Sequence, residues 1–262
     1  MSTGPSAEEL TNSLLSQVEQ QAAFKPCTVF SGDNITETVR QHASRVVVVG
    51  DGLRAVDETV RVVKPGTLCF EAPGKFWVET HEKRYQPKVD DPVVGIIESR
   101  IGQSGYFVNV RGRCPAILPL LAFDGASKRN HPDLPEGTLI YARVSKASIH
   151  IEPELSCMVE NGARKDWTTG ESQFGKLDGG MSGHCSLNLA RNLLDENSVV
   201  LSHLASRIPF EIAVGLNGRF WVRAEQQDQT VLIYNAILNS EFLSKKKVPA
   251  MVEALNDQLA QR

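Results

Sequence analysis

Five short stretches of β-forming sequence between Val93 and Ile151 constrain the fold of this chain more than any other feature. Val93–Ile97 is apolar. Tyr106–Val110 alternates, with Tyr106, Val108 and Val110 on one face and Phe107 and Asn109 on the other, the two-residue period of a strand that buries one side. Ala116–Leu121 and Thr138–Val144 are a third and a fourth strand, and Ile149–Ile151 leads into a fifth. Ser99–Gly105 holds two glycines and reads as a turn, whereas a longer loop separates the third stretch from the fourth. Strands this short, at this spacing, predict a small closed five-stranded barrel of the OB type over residues 89–152.

The flanking sequence has a different grain. Residues 1–44 begin with a small, polar Met1–Ala7 and continue with Leu10, Leu14, Leu15 and Val18 at helical spacing. They are expected to be a partly disordered extension with one short amphipathic helix. From Arg45 the chain becomes β-branched. Arg45–Gly50, Thr59–Val63, Thr67–Glu71 and Phe76–Thr80 read as strands punctuated by Lys64-Pro-Gly66 and Ala72-Pro-Gly74, a small β domain over 45–88. Lys88–Pro92 is a polar connector.

Beyond Pro153 the pattern is mixed α and β, over 153–262. Leu155–Val159 is strand-like and Asn161–Gly183 is polar and glycine-rich. One helix follows on Leu187, Leu189, Ala190, Leu193 and Leu194, and a second on Val199, Val200, Leu204 and Ile208, stopped by Pro209. Phe210–Val214 and Arg219–Val222 are strands joined by Gly215-Leu-Asn-Gly218, before helical segments near Thr230–Phe242 and at Val248, Val252, Leu255 and Leu259. The fold class is therefore β-rich and multidomain: an N-terminal β domain, a five-stranded barrel and a C-terminal α/β domain.

Composition narrows the function. The net charge is -3 and the pI about 6.1, so the chain lacks the overall basic character with which a solitary nucleic-acid binder displaces counterions. Contact with RNA must be local or shared with partners. Cys27, Cys69, Cys114, Cys157 and Cys185 include no C-x-x-C pair. They are expected to be buried free thiols of a reducing compartment, not a zinc ribbon or a disulfide framework. No apolar run is long enough for a membrane span and Met1–Glu9 is not a secretory signal, so a soluble intracellular protein is expected.

The barrel loops carry the candidate binding residues: Arg100, Gln103 and Ser104, then Arg111 and Arg113, then Ser127-Lys128-Arg129-Asn130. Loops at one end of such a barrel, with one sheet face, bind single strands through cations for phosphate and an aromatic ring for base stacking. Lys128, Arg129 and Asn130 supply charge and an amide, and Phe107 is the outward-facing ring. Against this, Asp91–Glu152 holds seven Lys/Arg and six Asp/Glu, so solvated loop charges, with Phe107 packed beneath another domain, are the alternative.

Gly215-Leu-Asn-Gly218 has the form of the G-x-x-G clamp of KH domains, but it lies between two strands where the clamp lies between two helices. Asn217-Gly218 is instead a hairpin signal, both residues tolerating positive φ. The position between the helices reads Asp195-Glu196-Asn197, whose carboxylates repel phosphate. The C-terminal domain is thus KH-like without its clamp. Catalytic candidates are few. Asp90-Asp91 sits in a hydrophilic linker without the further carboxylates of a two-metal site, and His184-Cys185 is adjacent on the chain, not apposed. No nucleophile elbow, phosphate loop or dinucleotide fingerprint occurs. The chain is read as a non-enzyme with no metal and no cofactor. Lys245–Lys247 reads as a solvated helix end.

Several segments together resemble one family. Leu121-Ala-Phe-Asp-Gly-Ala-Ser-Lys-Arg-Asn130 resembles the long barrel loop of the ribosomal RNA-processing protein 40 (exosome component 3) family of RNA exosome cap subunits. Lys83-Arg-Tyr-Gln-Pro87 is similar to that family's link into its barrel, and Asp91-Pro-Val-Val-Gly-Ile-Ile97 to its first barrel strand. Gly137-Thr-Leu-Ile-Tyr141 and Glu152-Pro-Glu-Leu-Ser-Cys157 resemble the barrel exit and the entry to the KH domain. Gly215-Leu-Asn-Gly-Arg-Phe-Trp221 resembles the G-x-N-G hairpin, which makes Gly215, Asn217, Gly218 and Trp221 a structural hairpin. The resemblance covers about residues 45–245 and implies an N-terminal β domain, an S1 barrel and a KH domain. It implies a non-catalytic member of a hetero-oligomer, seated with other cap subunits on a ring of RNase PH-like subunits, in the nucleus, the nucleolus and also the cytoplasm. Single-stranded RNA would pass the S1 face into a central pore for 3′→5′ processing. The pore-facing loops would contribute Arg100, Gln103, Ser104, Lys128, Arg129 and Asn130. The loop at Arg100–Gly105 is one residue longer than the family pattern, with Arg100 near its usual lysine. A sister S1/KH cap subunit shares the G-x-N-G hairpin, and the Phe123–Asn130 loop favours component 3. A purely structural adaptor without RNA contact is the alternative function.

Overall fold

The computed structural model describes residues 24–42, 47–80, 82–148, 150–159, 172–195, 198–244 and 246–260. Two compact units divide the chain at His81 and Glu82. The helix expected near Leu10–Val18 lies outside the described residues, as do Glu196, Asn197 and Lys245.

In the first unit, β1 (Cys27–Val29), β2 (Val48–Val49), β5 (Gly66–Glu71) and β6 (Lys75–Glu79) form a sheet of order β1-β5-β6-β2. A separate hairpin joins β3 (Leu53–Val56) to β4 (Thr59–Val62). The short helix α1 (Thr36–His42) buries Val39 with Phe24, Val29, Ile35, Leu68, Phe70 and Phe76. Phe70 and Phe76 face each other across the β5–β6 ladder, with ring centroids 4.8 Å apart. Phe24, β1 and α1 all precede residue 45, so the β domain begins upstream of the boundary read from the sequence. Isolated apolar residues in a polar stretch, as at Val29, Ile35 and Val39, carry no visible period, and their burial depends on partners far along the chain.

In the second unit, β7 (Pro92–Ile101), β8 (Gly105–Asn109), β9 (Ala116–Pro119), β10 (Leu139–Lys146) and β11 (Glu154–Ser156) close the barrel. The ring runs β7-β8-β9-β11-β10 and back to β7. All junctions are antiparallel except β9–β11, where Glu154 pairs with Ile117 in parallel. The alternation of Tyr106–Val110 is reproduced: Tyr106, Val108 and Val110 are buried inside, and Phe107 and Asn109 lie on the outer surface. Two boundaries move. The closing strand, Glu154–Ser156, falls in the stretch read as strand-like but placed in the following domain, and Leu155 and Cys157 belong to the barrel core, so the barrel continues past residue 152. Tyr85 packs into the same core, which carries residues 82–88 with the barrel and not with the first β domain. The connector is also more structured than its composition suggests. The Tyr85 hydroxyl donates to Asp91 Oδ2 at 2.8 Å and Arg143 Nη1 to Asp90 Oδ1 at 2.9 Å. The two carboxylates therefore serve different partners, and burial raises the Asp91 pKa.

The remainder is a KH-like α/β layer. β13 (Met181–His184), β14 (Phe210–Gly215) and β15 (Arg219–Ala224) form a sheet of order β13-β15-β14. Four helices accompany it: α2 (Leu187–Leu194), α3 (Val199–Ala205), α4 (Gln227–Ser240) and α5 (Val248–Ala260). The Ser186 hydroxyl caps α2 by accepting from Leu189 N at 3.1 Å. Val214, Phe220 and Val222 bury one sheet face against Leu189, Leu193, Leu204, Ile233 and Ile237. A further short strand, β12 (Gly175–Leu177), adds to β10. It and β13 fall in the stretch read as polar and glycine-rich.

The other sheet face meets the barrel. Ala213 and Trp221 pack on Val94 with Leu139, Tyr141 and Leu177, so β7 has both faces covered. That is why Val93–Gly95 is buried without interruption. At the end of this seam the β14–β15 turn inserts Asn217, which is 1% exposed. Its amide nitrogen donates to Val94 O at 2.8 Å and Val110 O at 3.1 Å, and its amide oxygen accepts from Val94 N at 3.3 Å. A Cβ on Gly215 would lie 2.5 Å from Val94 N, and Gly218 has φ +69°, so both glycines are required by the approach. Asn217→Ala removes these bonds, at about 1–3 kcal/mol for each buried backbone group left unpaired. We expect it to lower the unfolding free energy by at least ~2 kcal/mol in urea titrations, and an unchanged midpoint would refute the joint's importance.

Candidate nucleic-acid interface

Two loops at one end of the barrel hold most of the residues singled out in the sequence. The β7–β8 turn spans Ile101–Gly105, closed by Ser104 N donating to Ile101 O at 2.9 Å, with Gly102, Gln103 and Ser104 exposed at its tip. One residue more runs along β7 than along β8, because the register shifts between Ile97 and Ser99 and leaves Glu98 bulged. Ser104 O accepts Leu120 N at 3.2 Å, which sets this turn beside the start of the long β9–β10 loop.

The long loop is fixed at both ends. At its start, Phe123 bridges to Cys157 and the buried Asp124 accepts from Val159 N at 3.0 Å. At its end, the Tyr106 hydroxyl reaches out of the barrel core. It donates to Pro132 O at 3.1 Å and accepts from Leu134 N at 3.2 Å. Between these anchors Ser127 and Asn130 exchange backbone hydrogen bonds of 2.8 and 3.1 Å, and Ser127 Oγ accepts from Asn130 N. This tight turn presents Lys128 and Arg129 at its apex, both exposed. Among the described residues neither has an ion-pair partner.

Arg100 is engaged differently. Its Nε donates to Gly102 O at 3.1 Å, its Nη1 lies 3.5 Å from Asp133 Oδ1, and its guanidinium sits 5.9 Å from the centre of the Tyr106 ring. It therefore links the short turn to the long loop. Phe107 is half-buried on the outer surface, in a cross-strand row Ser99–Phe107–Ile117–Glu154. The structure thus gathers Arg100, Gln103 and Ser104 with the root of the loop bearing Lys128, Arg129 and Asn130, with Phe107 two residues from Gly105. Tyr106 and Asp133 were not singled out in the sequence. Tyr106 was legible only as an inward-facing core residue.

Gly215, Asn217, Gly218 and Trp221 lie elsewhere, at the seam described above, where Trp221 Nε1 donates to Gly179 O at 2.7 Å. Arg111 also reaches this seam, with Nη1 donating to Gly218 O at 2.9 Å. The cysteines are all free, but only Cys157 is buried; Cys27 is exposed and the others are intermediate. Cys157 faces inward from the closing strand, and burial raises its pKa. Burial and the Glu241 charge push the Cys185 thiol up to about 12, with Arg111 opposing. Among the described residues no group of three or more His, Cys, Asp or Glu is arranged to hold a metal, and no helix is long and apolar enough to cross a membrane.

Comparison with known proteins agrees with this architecture. Residues 85–167 match the profile of the S1 domain of exosome complex component RRP40, and residues 180–228 match a KH domain. The chain is 42% identical over 209 residues to the exosome complex component RRP40 of Drosophila melanogaster, covering 80% of this chain and 87% of that one. It is 37% identical over 224 residues to the Schizosaccharomyces pombe protein (83% and 90% covered). It is 35% identical over 208 residues to the human one (77% and 73% covered). A crystal structure described provisionally as an exosome complex RNA-binding protein superposes with a TM-score of 0.52 at 20% identity, over 67% of this chain and 98% of that one, a likeness of fold. With S1 and KH matches in the order of the observed barrel and α/β layer, and relatives above 30% identity over most of their length, the chain belongs to the exosome complex component RRP40 family.

Proposed function

We propose that this protein is a non-catalytic cap subunit of an RNA exosome. It stabilises a ring of RNase PH-like subunits with other cap subunits and guides single-stranded RNA into the central pore for 3′→5′ processing and degradation. Work in the nucleus and nucleolus, and also in the cytoplasm, follows from the same reading. The observation that carries the guiding role is the Ser127–Asn130 turn, a rigid mount for two exposed cations that no carboxylate neutralises among the described residues. Phosphate contact by such side chains is independent of base identity, as a sliding strand requires. The near-neutral chain suits a pore assembled from several proteins, where no single subunit must be strongly basic.

A second reading, a structural adaptor without RNA contact, is favoured by one observation. The Gly215–Gly218 hairpin is occupied by its bonds to the barrel and is not free to act as a KH clamp. This supports a scaffolding role for the hairpin.

Two outcomes test the guiding role. In the assembled complex, Lys128→Ala with Arg129→Ala should weaken RNA crosslinking and capture several-fold at low salt, less at high salt, with subunit stoichiometry unchanged. Equal crosslinking would support the adaptor instead. Tyr106→Phe removes the hydroxyl that holds Pro132 and Leu134 without altering any charge. It should cost about 1–3 kcal/mol and accelerate amide exchange across the long loop. Exchange rates equal to those of the unsubstituted protein would show that the loop is held by other contacts.

A further inference from the structure

At the seam between barrel and KH-like layer, positive charge accumulates without a counter-charge. Arg219 stands on β15, opposite His184 of β13 in register, on the same sheet face as Trp221. It is 4% exposed. Its Nη1 donates only to main-chain carbonyls, Asn109 O at 3.0 Å and Val94 O at 3.4 Å, and its Nε is buried with no hydrogen-bond partner. Arg111 converges on the same place. Its backbone N donates to Asn109 Oδ1 at 2.9 Å, and its Nη1 donates to Gly218 O. Gly218 O also accepts Cys185 N at 2.9 Å, the residue next to His184. Arg111 is held at φ +58°, a left-handed conformation that is costly for a side chain of this size.

Two guanidiniums therefore reach Asn109 and Gly218, with His184 across the ladder from Arg219. Among the described residues no carboxylate forms an ion pair with either arginine. Glu98 Oε1 accepts from Asn109 Nδ2 at 2.7 Å, and the Glu241 charge is felt at Cys185, where it raises the thiol pKa. A buried cation served only by carbonyl dipoles, with a like charge beside it, is an unfavourable arrangement. It becomes favourable when an anion accepts from the unused edge of the guanidinium, the fork that matches phosphate oxygens.

We infer that Arg111, Arg219 and His184 form an oxyanion site at the barrel–KH seam that takes a phosphate group. The inference stands apart from the exosome reading. Three donors from different strands and loops suit a tetrahedral oxyanion better than a planar carboxylate. Burial, Arg111 and Arg219 together lower the His184 pKa, so near neutral pH the ring enters as an uncharged donor. Arg219 forms the floor of the site, while the exposed Arg111 and His184 form its mouth.

The test is a calorimetric titration of the full chain with inorganic phosphate against chloride at constant ionic strength. Saturable phosphate binding is expected for the unsubstituted protein. Arg111→Gln, an exposed substitution that keeps the fold, should weaken it roughly tenfold or more. Arg207→Gln, which removes the same charge at an exposed arginine paired with Glu253 instead, should leave it unchanged. Adding a single-stranded oligoribonucleotide identifies the source: displacement of phosphate assigns the site to an RNA phosphodiester, and no displacement assigns it to free phosphate. No saturable binding, or equal losses in the two glutamine variants, overturns the proposal.

Discussion

One side-chain amide joins the two halves of the larger unit. Asn217 offers an acceptor and two donors from a single short side chain, and the barrel strand β7 presents at Val94 an N–H and a C=O that need them. The KH-like hairpin thus pairs with the barrel much as an additional strand would, through main-chain groups buried from water. Alternatives fail on chemistry: aspartate lacks the donors, leucine lacks both functions, and glutamine is one methylene too long for a turn this close to the barrel. The flanking glycines belong to the same constraint, since a Cβ at position 215 would strike the chain that Asn217 binds. Once the joint forms, Trp221 and Ala213 are set down on Val94, and barrel and α/β layer share one seam.

The barrel was legible because its strands other than β7 bury one face each. Tyr106–Val110 announced its inward side by alternation, and the structure keeps every assignment. The hairpin was legible too, but for a reason only half correct. Gly218 adopts the positive φ expected of a tight turn, whereas Asn217 does not; it acts through its side chain. No local rule reveals that, because the groups it satisfies lie 107 and 123 residues away.

The short elements escaped for a related reason. β12 is a three-residue strand because β10 supplies a ladder for it, and β11, visible in sequence only as part of Leu155–Val159, is held between β9 and β10. The connector Asp90-Asp91 looked solvated because charge is visible in sequence and its partners, Tyr85 and Arg143, are not.

The same gap separates counting charges from locating them. Seven basic and six acidic residues between Asp91 and Glu152 suggest neutrality, yet the structure sorts those cations into different states. Arg143 is tied to Asp90 and Arg100 to Asp133, so each is neutralised by its neighbour. Lys128 and Arg129 stand exposed on a hydrogen-bonded turn, where solvent dielectric keeps their field short-ranged but their side chains are open to a passing phosphate. Arg111 reaches the seam with Arg219, in a poorer dielectric where like charges repel more strongly. Equal formal charges thus have unequal consequences, decided by the partners and the solvent access that the fold assigns. In a protein this close to neutral, it is the few cations left uncompensated, not the sum, that determine where an anionic ligand can be held.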